Sequence, residues 1–187
     1  MSQRIARPEL PLDGILVLDF SQFLAGPVSA MRLADLGARV IKIERPGTGD
    51  IGRTLAFAGI ASDGDTLSFH IMNRNKESFA ADLKNESDKK DVIELIKKAD
   101  VIIQNFRPGV MERLGLGPDV CVARNPKLVF GRMTGWGQEG PYAASAGHDI
   151  NYISLAGALA HFSRAGEAPV PPLNMVGDFG GGGMFLA

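Results

Sequence analysis

A chain of 187 residues with 45% hydrophobic and 22% charged side chains has ordinary globular composition, enough for one domain or one domain and part of another. A formal net charge of −1 gives no overall basic bias toward nucleic acid or an anionic membrane surface. No stretch approaches the roughly 20 apolar residues of a membrane span, and the lone Cys121 excludes an internal disulfide framework, leaving a buried spectator thiol as the expectation.

Met1 to Pro11 carries two arginines and two prolines but no apolar run, which argues against a secretory signal and for a cytoplasmic protein. Ile15–Phe20 is nearly continuous apolar sequence and reads as a buried parallel strand. Pro27 stands at a helix start, Val28–Leu36 has helical spacing, and Gly37 is a helix-ending glycine. Arg39–Glu44 is a second strand, so the first 44 residues hold a strand–helix–strand unit. Residues 46–66, rich in Gly, Asp and Thr, read as a long loop. Ser78–Leu83 reads as a strand and Asp88–Lys98 as a charged helix whose inner face is Val92, Ile93, Leu95 and Ile96. Val101–Ile103 is a strand, Pro108–Leu114 and Pro118–Arg124 are short helices, and Leu128–Phe130 opens a further strand. Asp149–Phe162 is expected to be helical. Alternating strands and helices imply an α/β fold, a Rossmann-like doubly wound and mainly parallel sheet. The turn after the first strand, Ser21 to Gly26, lacks the Gly-x-Gly-x-x-Gly fingerprint, so a nicotinamide cofactor is not implied. Five of the last eleven residues are glycine, and the chain stops on the apolar run Met184–Ala187, expected to open a helix. The expectation is the front part of a longer protein.

Three arginines stand at or beside strand ends: Arg45, Arg107 and Arg113. Guanidinium forks match phosphate oxygens, although exposed arginines in weak salt bridges are the plainer alternative. Among the histidines, His70 and His161 read as structural. His148 follows a Gly/Pro/Ala/Ser-rich loop and precedes a helix, a place from which an imidazole can reach into a cleft and transfer protons near neutrality. Asp149 could instead be simply the helix N-cap. Asp178, in Val176–Gly180, lies among small and apolar residues, surroundings that favour the neutral acid; its alternative role is to cap the glycine turn.

The ordered set of short motifs resembles the family III CoA-transferases and α-methylacyl-CoA racemases. It comprises Asp19–Pro27, Asp35–Pro46, Asn73–Lys76 and Asn105–Gly109, followed by Arg132–Gln138, Gly147–Tyr152 and Pro172–Gly182. The last three look like the racemase branch. Residues 46–70 are longer and more transferase-like than the compact loop of some racemases.

The resemblance implies that Arg45, Arg107 and Arg113 hold CoA phosphates and that Arg74 and Lys76 lie near the nucleotide. It implies that His148 and Asp178 are the two racemase bases. Asp149 matches the aspartate that transferases use as nucleophile, while in racemases its backbone N–H polarises the thioester oxygen. The implied activity is epimerisation of 2-methylacyl-CoA thioesters, with CoA transfer and non-catalytic CoA binding as alternatives. The implied partners are an acyl-CoA thioester, with no further cofactor and no metal, and a second copy of the chain. Family members are interlocked dimers whose small second domain completes the partner's site. Residues 1–187 are then the N-terminal CoA-binding domain, expected to be weak or inactive alone.

Overall fold

The computed structural model describes residues 9–55, 61–62 and 64–187. The reading of Met1–Pro8 as free of a signal, and part of the 46–66 loop, lie outside them.

The central strand is β1 (Leu16–Asp19), and alternation along it explains the layering. Val17 turns to one face, against Ala30 and Ala34 of α1 (Ala25–Asp35). Leu18 turns to the other, against Val92 and Ile96 of α3 (Glu86–Ile96). Both residues are fully buried. A strand covered on both faces is the mark of a doubly wound sheet.

Strands β2 (Arg39–Glu44), β5 (Lys76–Ala80), β6 (Val101–Gln104) and β7 (Val129–Arg132) complete a five-stranded sheet of order β5-β2-β1-β6-β7. Every pairing in it is parallel. The order reverses at β1 and β6, so a crevice opens beyond their carboxyl ends, the place where such sheets bind ligands.

Local rules account for the helix ends. Gly37 has φ +107 and donates to Ala34 O, while Ala38 donates to Leu33 O, together closing α1 with two capping bonds. Asn85 caps α3 through its side-chain oxygen. Helices α4 (Val110–Arg113) and α5 (Pro118–Arg124) lie on the α3 face, where Met111 and Cys121 are buried.

Several expectations need correction. The strand placed at Ser78–Leu83 begins two residues earlier, because Lys76 already pairs with Val40. The long loop contains a 3-10 turn, Ile51–Arg53, capped by Asp50, and a small hairpin of β3 (Ala61–Ser62) and β4 (Asp65–Thr66) that leads into α2 (Leu67–Asn73). Arg53 clamps this insertion to the sheet: it reaches Glu44 Oε2 at 2.7 Å and Asp65 Oδ2 at 2.5 Å, and lies 4.0 Å over the Phe69 ring.

The helix expected over Asp149–Phe162 is broken. Helix α6 covers Asp149–Leu155, Gly157 takes φ +78, and a 3-10 turn follows at Ala158–His161. The glycine turn expected around Asp178 is a π-helical segment, Met175–Met184, in which Phe179 N bonds Asn174 O five residues back. Its glycines allow a close approach: a Cβ on Gly183 would come within 2.6 Å of Val28 Cγ1, and one on Gly182 within 2.8 Å of Ala25 Cβ. The segment therefore lies directly on α1. His70 and His161 are both exposed rather than set in the core.

Candidate active site

A cavity of about 820 Å³ lies at the crevice predicted by the strand order. It is lined by Gln22–Ala25 after β1, by Asn105 after β6, and by Arg132–Gly135 at the end of β7. His148, Tyr152 and Asp178 line it from α6 and the π-helical segment. A smaller cavity of about 270 Å³ shares Asn105, Thr134, Gly135, Gly147 and His148 with the first and extends to Arg107 and Trp136. The combined cleft has an apolar chamber beside His148 and Asp178 and a cationic mouth at Arg107.

His148, not Asp149, is the N-cap of α6, so the capping reading of Asp149 is corrected. The His148 backbone N–H donates to Asn151 Oδ1 at 3.0 Å, which fixes the entry into the helix. As the cap, His148 stands outside the helical turn and is exposed. Asp149, one position on, is buried. Its Oδ2 accepts from the backbone N–H of Gly177 and of Asp178, each at 2.8 Å. Asp149 does not line the cavity. Its backbone N–H, at the first helical position, has no acceptor within the helix.

Asp178 is 8% exposed, and both carboxylate oxygens accept hydrogen bonds. Oδ1 takes the Tyr152 hydroxyl, and Oδ2 takes Asn174 Nδ2 at 2.6 Å. It does not cap a glycine turn. Burial first, and then the bond to Asp178, pushes the Tyr152 phenol far above its ordinary range, so it stays a neutral donor. Tyr152 is itself held by packing: Trp136 lies edge-on at 6.2 Å, and a Cβ on Gly177 would come within 2.4 Å of the Tyr152 ring. Tyr152 and Asn174 were not among the residues singled out from the sequence. The available signals were their place inside the Gly147–Tyr152 and Pro172–Gly182 motifs and their spacing, four residues from His148 and four from Asp178.

The cations divide into two groups. Arg45, Arg107 and Arg113 are exposed at the carboxyl edge of the sheet, and none has an ion-pair partner among the described residues. The Arg113 guanidinium reaches back over Gly109, whose missing Cβ makes room for it. Arg74 and Lys76 stand elsewhere. Arg74 precedes β5 at the amino edge, away from the cleft, and grips Asp35 at 2.5 Å. Lys76 Nζ is buried and donates to Asp19 Oδ2 at 2.8 Å, Pro27 O at 2.9 Å and Asn73 Oδ1 at 2.9 Å. An ammonium has three protons, and all three are taken, so no donor is left for a phosphate. Arg74 and Lys76, expected near the nucleotide, are thus engaged by Asp35 and Asp19 respectively.

Lys76 belongs to a buried charge cluster beneath the cleft. Lys42 Nζ lies 2.8 Å from Asp50 Oδ2, 3.8 Å from Asp19 Oδ2 and 2.8 Å from Ser21 O. Burial alone would push the Asp19 carboxyl up. Lys42 and Lys76, with hydrogen bonds from Lys76 and Ser21, outweigh it and hold Asp19 below the usual carboxylate range.

Among the described residues no group of three or more His, Cys, Asp or Glu is arranged to hold a metal ion, and no helix is long and apolar enough to cross a membrane.

The chain is 40% identical over 179 residues to human alpha-methylacyl-CoA racemase, a match spanning 95% of this chain and 42% of that protein. It is 42% identical over 172 residues to acetyl-CoA:oxalate CoA-transferase of Acetobacter aceti, spanning 92% of this chain and 42% of that one. The crystal structure of a CAIB/BAIF family protein from Brucella suis superposes with TM-score 0.86 at 34% identity, covering 96% of this chain and 48% of that chain. The chain thus spans about half the length of the relatives it matches. The model of CoA-transferase family III matches residues 12–187, and the chain belongs to that family.

Proposed function

We propose that the protein is an α-methylacyl-CoA racemase, epimerising 2-methylacyl-CoA thioesters by proton transfer through an enolate. One observation carries the choice. His148 and Asp178 line the same cavity, whereas the Asp149 carboxylate is turned away and held by the Gly177 and Asp178 amides. A racemase needs two proton carriers at one carbon. A transferase needs a free carboxylate nucleophile.

In this reading the thioester lies in the larger cavity and the CoA phosphates meet Arg45, Arg107 and Arg113 at the carboxyl edge. The acyl chain enters the apolar part of the chamber. His148 and Asp178 share one proton between them. The deprotonated partner takes the α-proton, the electron pair moves onto the thioester oxygen, and the protonated partner returns a proton to the other face. The roles exchange for the opposite epimer. The role of polarising the developing oxyanion falls in this reading to the Asp149 backbone N–H at the start of α6. Tyr152 and Asn174 orient the Asp178 carboxylate. The complete protein acts as a homodimer in this reading.

The test is incubation of the full-length protein with a 2-methylacyl-CoA in deuterium oxide, followed by mass spectrometry. Label is expected at the α-carbon, lost in His148→Ala and Asp178→Asn. Net CoA transfer to an added free acid, abolished by Asp149→Ala but kept by His148→Ala, would establish the transferase instead.

A further inference from the structure

The turn after β1, which lines the cavity as Gln22–Ala25, has an unusual means of support. Ser21, Gln22 and Phe23 carry five backbone polar groups that are met by side chains, four of them from other parts of the fold. Ser21 N donates to Asp19 Oδ1 at 2.9 Å, and Ser21 O accepts from Lys42 Nζ at 2.8 Å. Gln22 N donates to Asn105 Oδ1 at 2.9 Å, and Gln22 O accepts from Asn105 Nδ2 at 2.7 Å. Phe23 N donates to Asp50 Oδ1 at 3.0 Å. That same oxygen accepts from Gly52 N at 2.8 Å, and the other Asp50 oxygen faces Lys42.

Phe23 has φ +75, a left-handed conformation that a bulky side chain adopts only where its surroundings impose it. Asp50 supplies that constraint from β2's side of the switch point. Asn105 supplies it from β6's side, tying together the two strand ends whose divergence makes the crevice. The buried Lys42, with 2% of its side chain exposed, keeps Asp50 oriented. Asp50 is not at the cavity surface; it acts through the backbone of Phe23.

We infer that Asp50 and Asn105 are positioning residues. They hold the Ser21–Phe23 turn in a strained shape, so that Gln22 and Phe23 present a rigid wall to the thioester bound beside His148 and Asp178. The inference rests on the acyl-CoA reading for the nature of the ligand but not for the rigidity of the wall. It separates the parts of the site by function. CoA phosphates are held by arginines at the edge, so loosening the wall should affect turnover more than binding. A displacement of about 1 Å in a reacting geometry costs on the order of 100-fold in rate.

The experiment compares full-length wild type, Asp50→Ala, Asp50→Asn and Asn105→Ala. In wild type the amides of the peptide spanning residues 20–25 should exchange slowly with deuterium. In Asp50→Ala and Asn105→Ala they should exchange at least ten-fold faster, while the β1 and β6 interiors stay protected. In Asp50→Ala, whose side chain lies behind the cavity surface, the kcat for α-proton exchange should fall at least ten-fold with KM within about three-fold. Asp50→Asn, which keeps the acceptor for Phe23 N–H, should recover part of the loss. Asn105 is only half-buried, so Asn105→Ala remains informative if Asp50→Ala does not fold. If wild type transfers CoA rather than exchanging the α-proton, the racemase reading fails, and the same kcat split is read in the transfer assay. If wild type shows neither activity, amide exchange alone decides. Fast exchange of the turn in wild type, or folded variants with unchanged kcat and exchange, would overturn the inference.

Discussion

Replacing Lys76 with methionine separates a ligand lysine from a structural one. The side chain keeps its length and apolar stem but loses the ammonium. Asp19, fully buried, then keeps only Lys42 as a cationic neighbour, 3.8 Å away. Pro27 O and the Asn73 amide oxygen lose their donor as well. Breaking one partner from a buried ion pair costs about 3–5 kcal/mol, because the remaining charge is left uncompensated. For a domain of this size each kcal/mol is worth roughly 2–4 °C, so the melting temperature should fall by roughly 6–20 °C. The double variant Asp19→Asn/Lys76→Met removes both charges and should recover much of that loss.

The pH dependence follows from the sign of the Asp19 shift. Its folded value is depressed below the ordinary 3.8, so its contribution is complete above the unfolded value and disappears as pH falls through the folded one. Wild type should therefore lose stability below about pH 4 through this group, and the double variant should show a shallower acid limb. The assays are thermal melting by circular dichroism between pH 3 and 8 and calorimetric titration with CoA. CoA affinity of folded Lys76→Met should stay within about two-fold of wild type. A variant that melts with wild type but binds CoA ten-fold more weakly would refute the argument and restore Lys76 to the nucleotide site.

Two further outcomes are expected. Gly177→Ala places a Cβ 2.4 Å from the Tyr152 ring and 2.8 Å from Asp149 Oδ2, so it should cost about 1–3 kcal/mol of stability by urea unfolding and lower kcat by displacing Tyr152 from Asp178. Cys121 is almost fully buried, and burial pushes its thiol up to about 11, so it should not react with a disulfide reagent at pH 7.5 until denaturant is added.

The sheet was legible because each strand advertises itself. Ile15–Phe20, Arg39–Glu44 and Val101–Ile103 are apolar runs bounded by glycine, proline or charge, and the register pairs Val17 with Val40 and with Val101. Legibility failed where long-range contacts decide. Gly157 and the glycine run at 180–183 read locally as helix interior and turn, but one breaks a helix and the other forms a widened helix against α1. For the glycine run the deciding contact is Val28, some 155 residues before Gly183 in the chain, whereas Gly157 ends its helix through its own left-handed φ of +78. The same reason hid the fate of Lys76. A lysine after Asn-Arg-Asn looks like a surface cation, yet a parallel strand places it under α1, where Asp19 draws it in. His148 and Asp178 were legible as unusual residues, but Tyr152 and Asn174 acquire their roles only when α6 and the π-helical segment meet.

Under the proposed reading, the adjacency of His148 and Asp149 sets the two candidate chemistries against each other. Consecutive residues entering a helix project about 100° apart, so only one of the two side chains can face the chamber while the other faces the neighbouring segment. Here the imidazole has the chamber and the carboxylate has the Gly177 and Asp178 amides. Those two amides are donors that a nucleophilic carboxylate would have to leave. Their hold also fixes the backbone that carries Asp178, so freeing Asp149 for attack would loosen the residue proposed as the second proton carrier. The two roles therefore compete for the same hydrogen bonds. Weakening the contact between Asp149 and the Gly177 turn, rather than changing the residues that line the cavity, is the physical route from one chemistry toward the other.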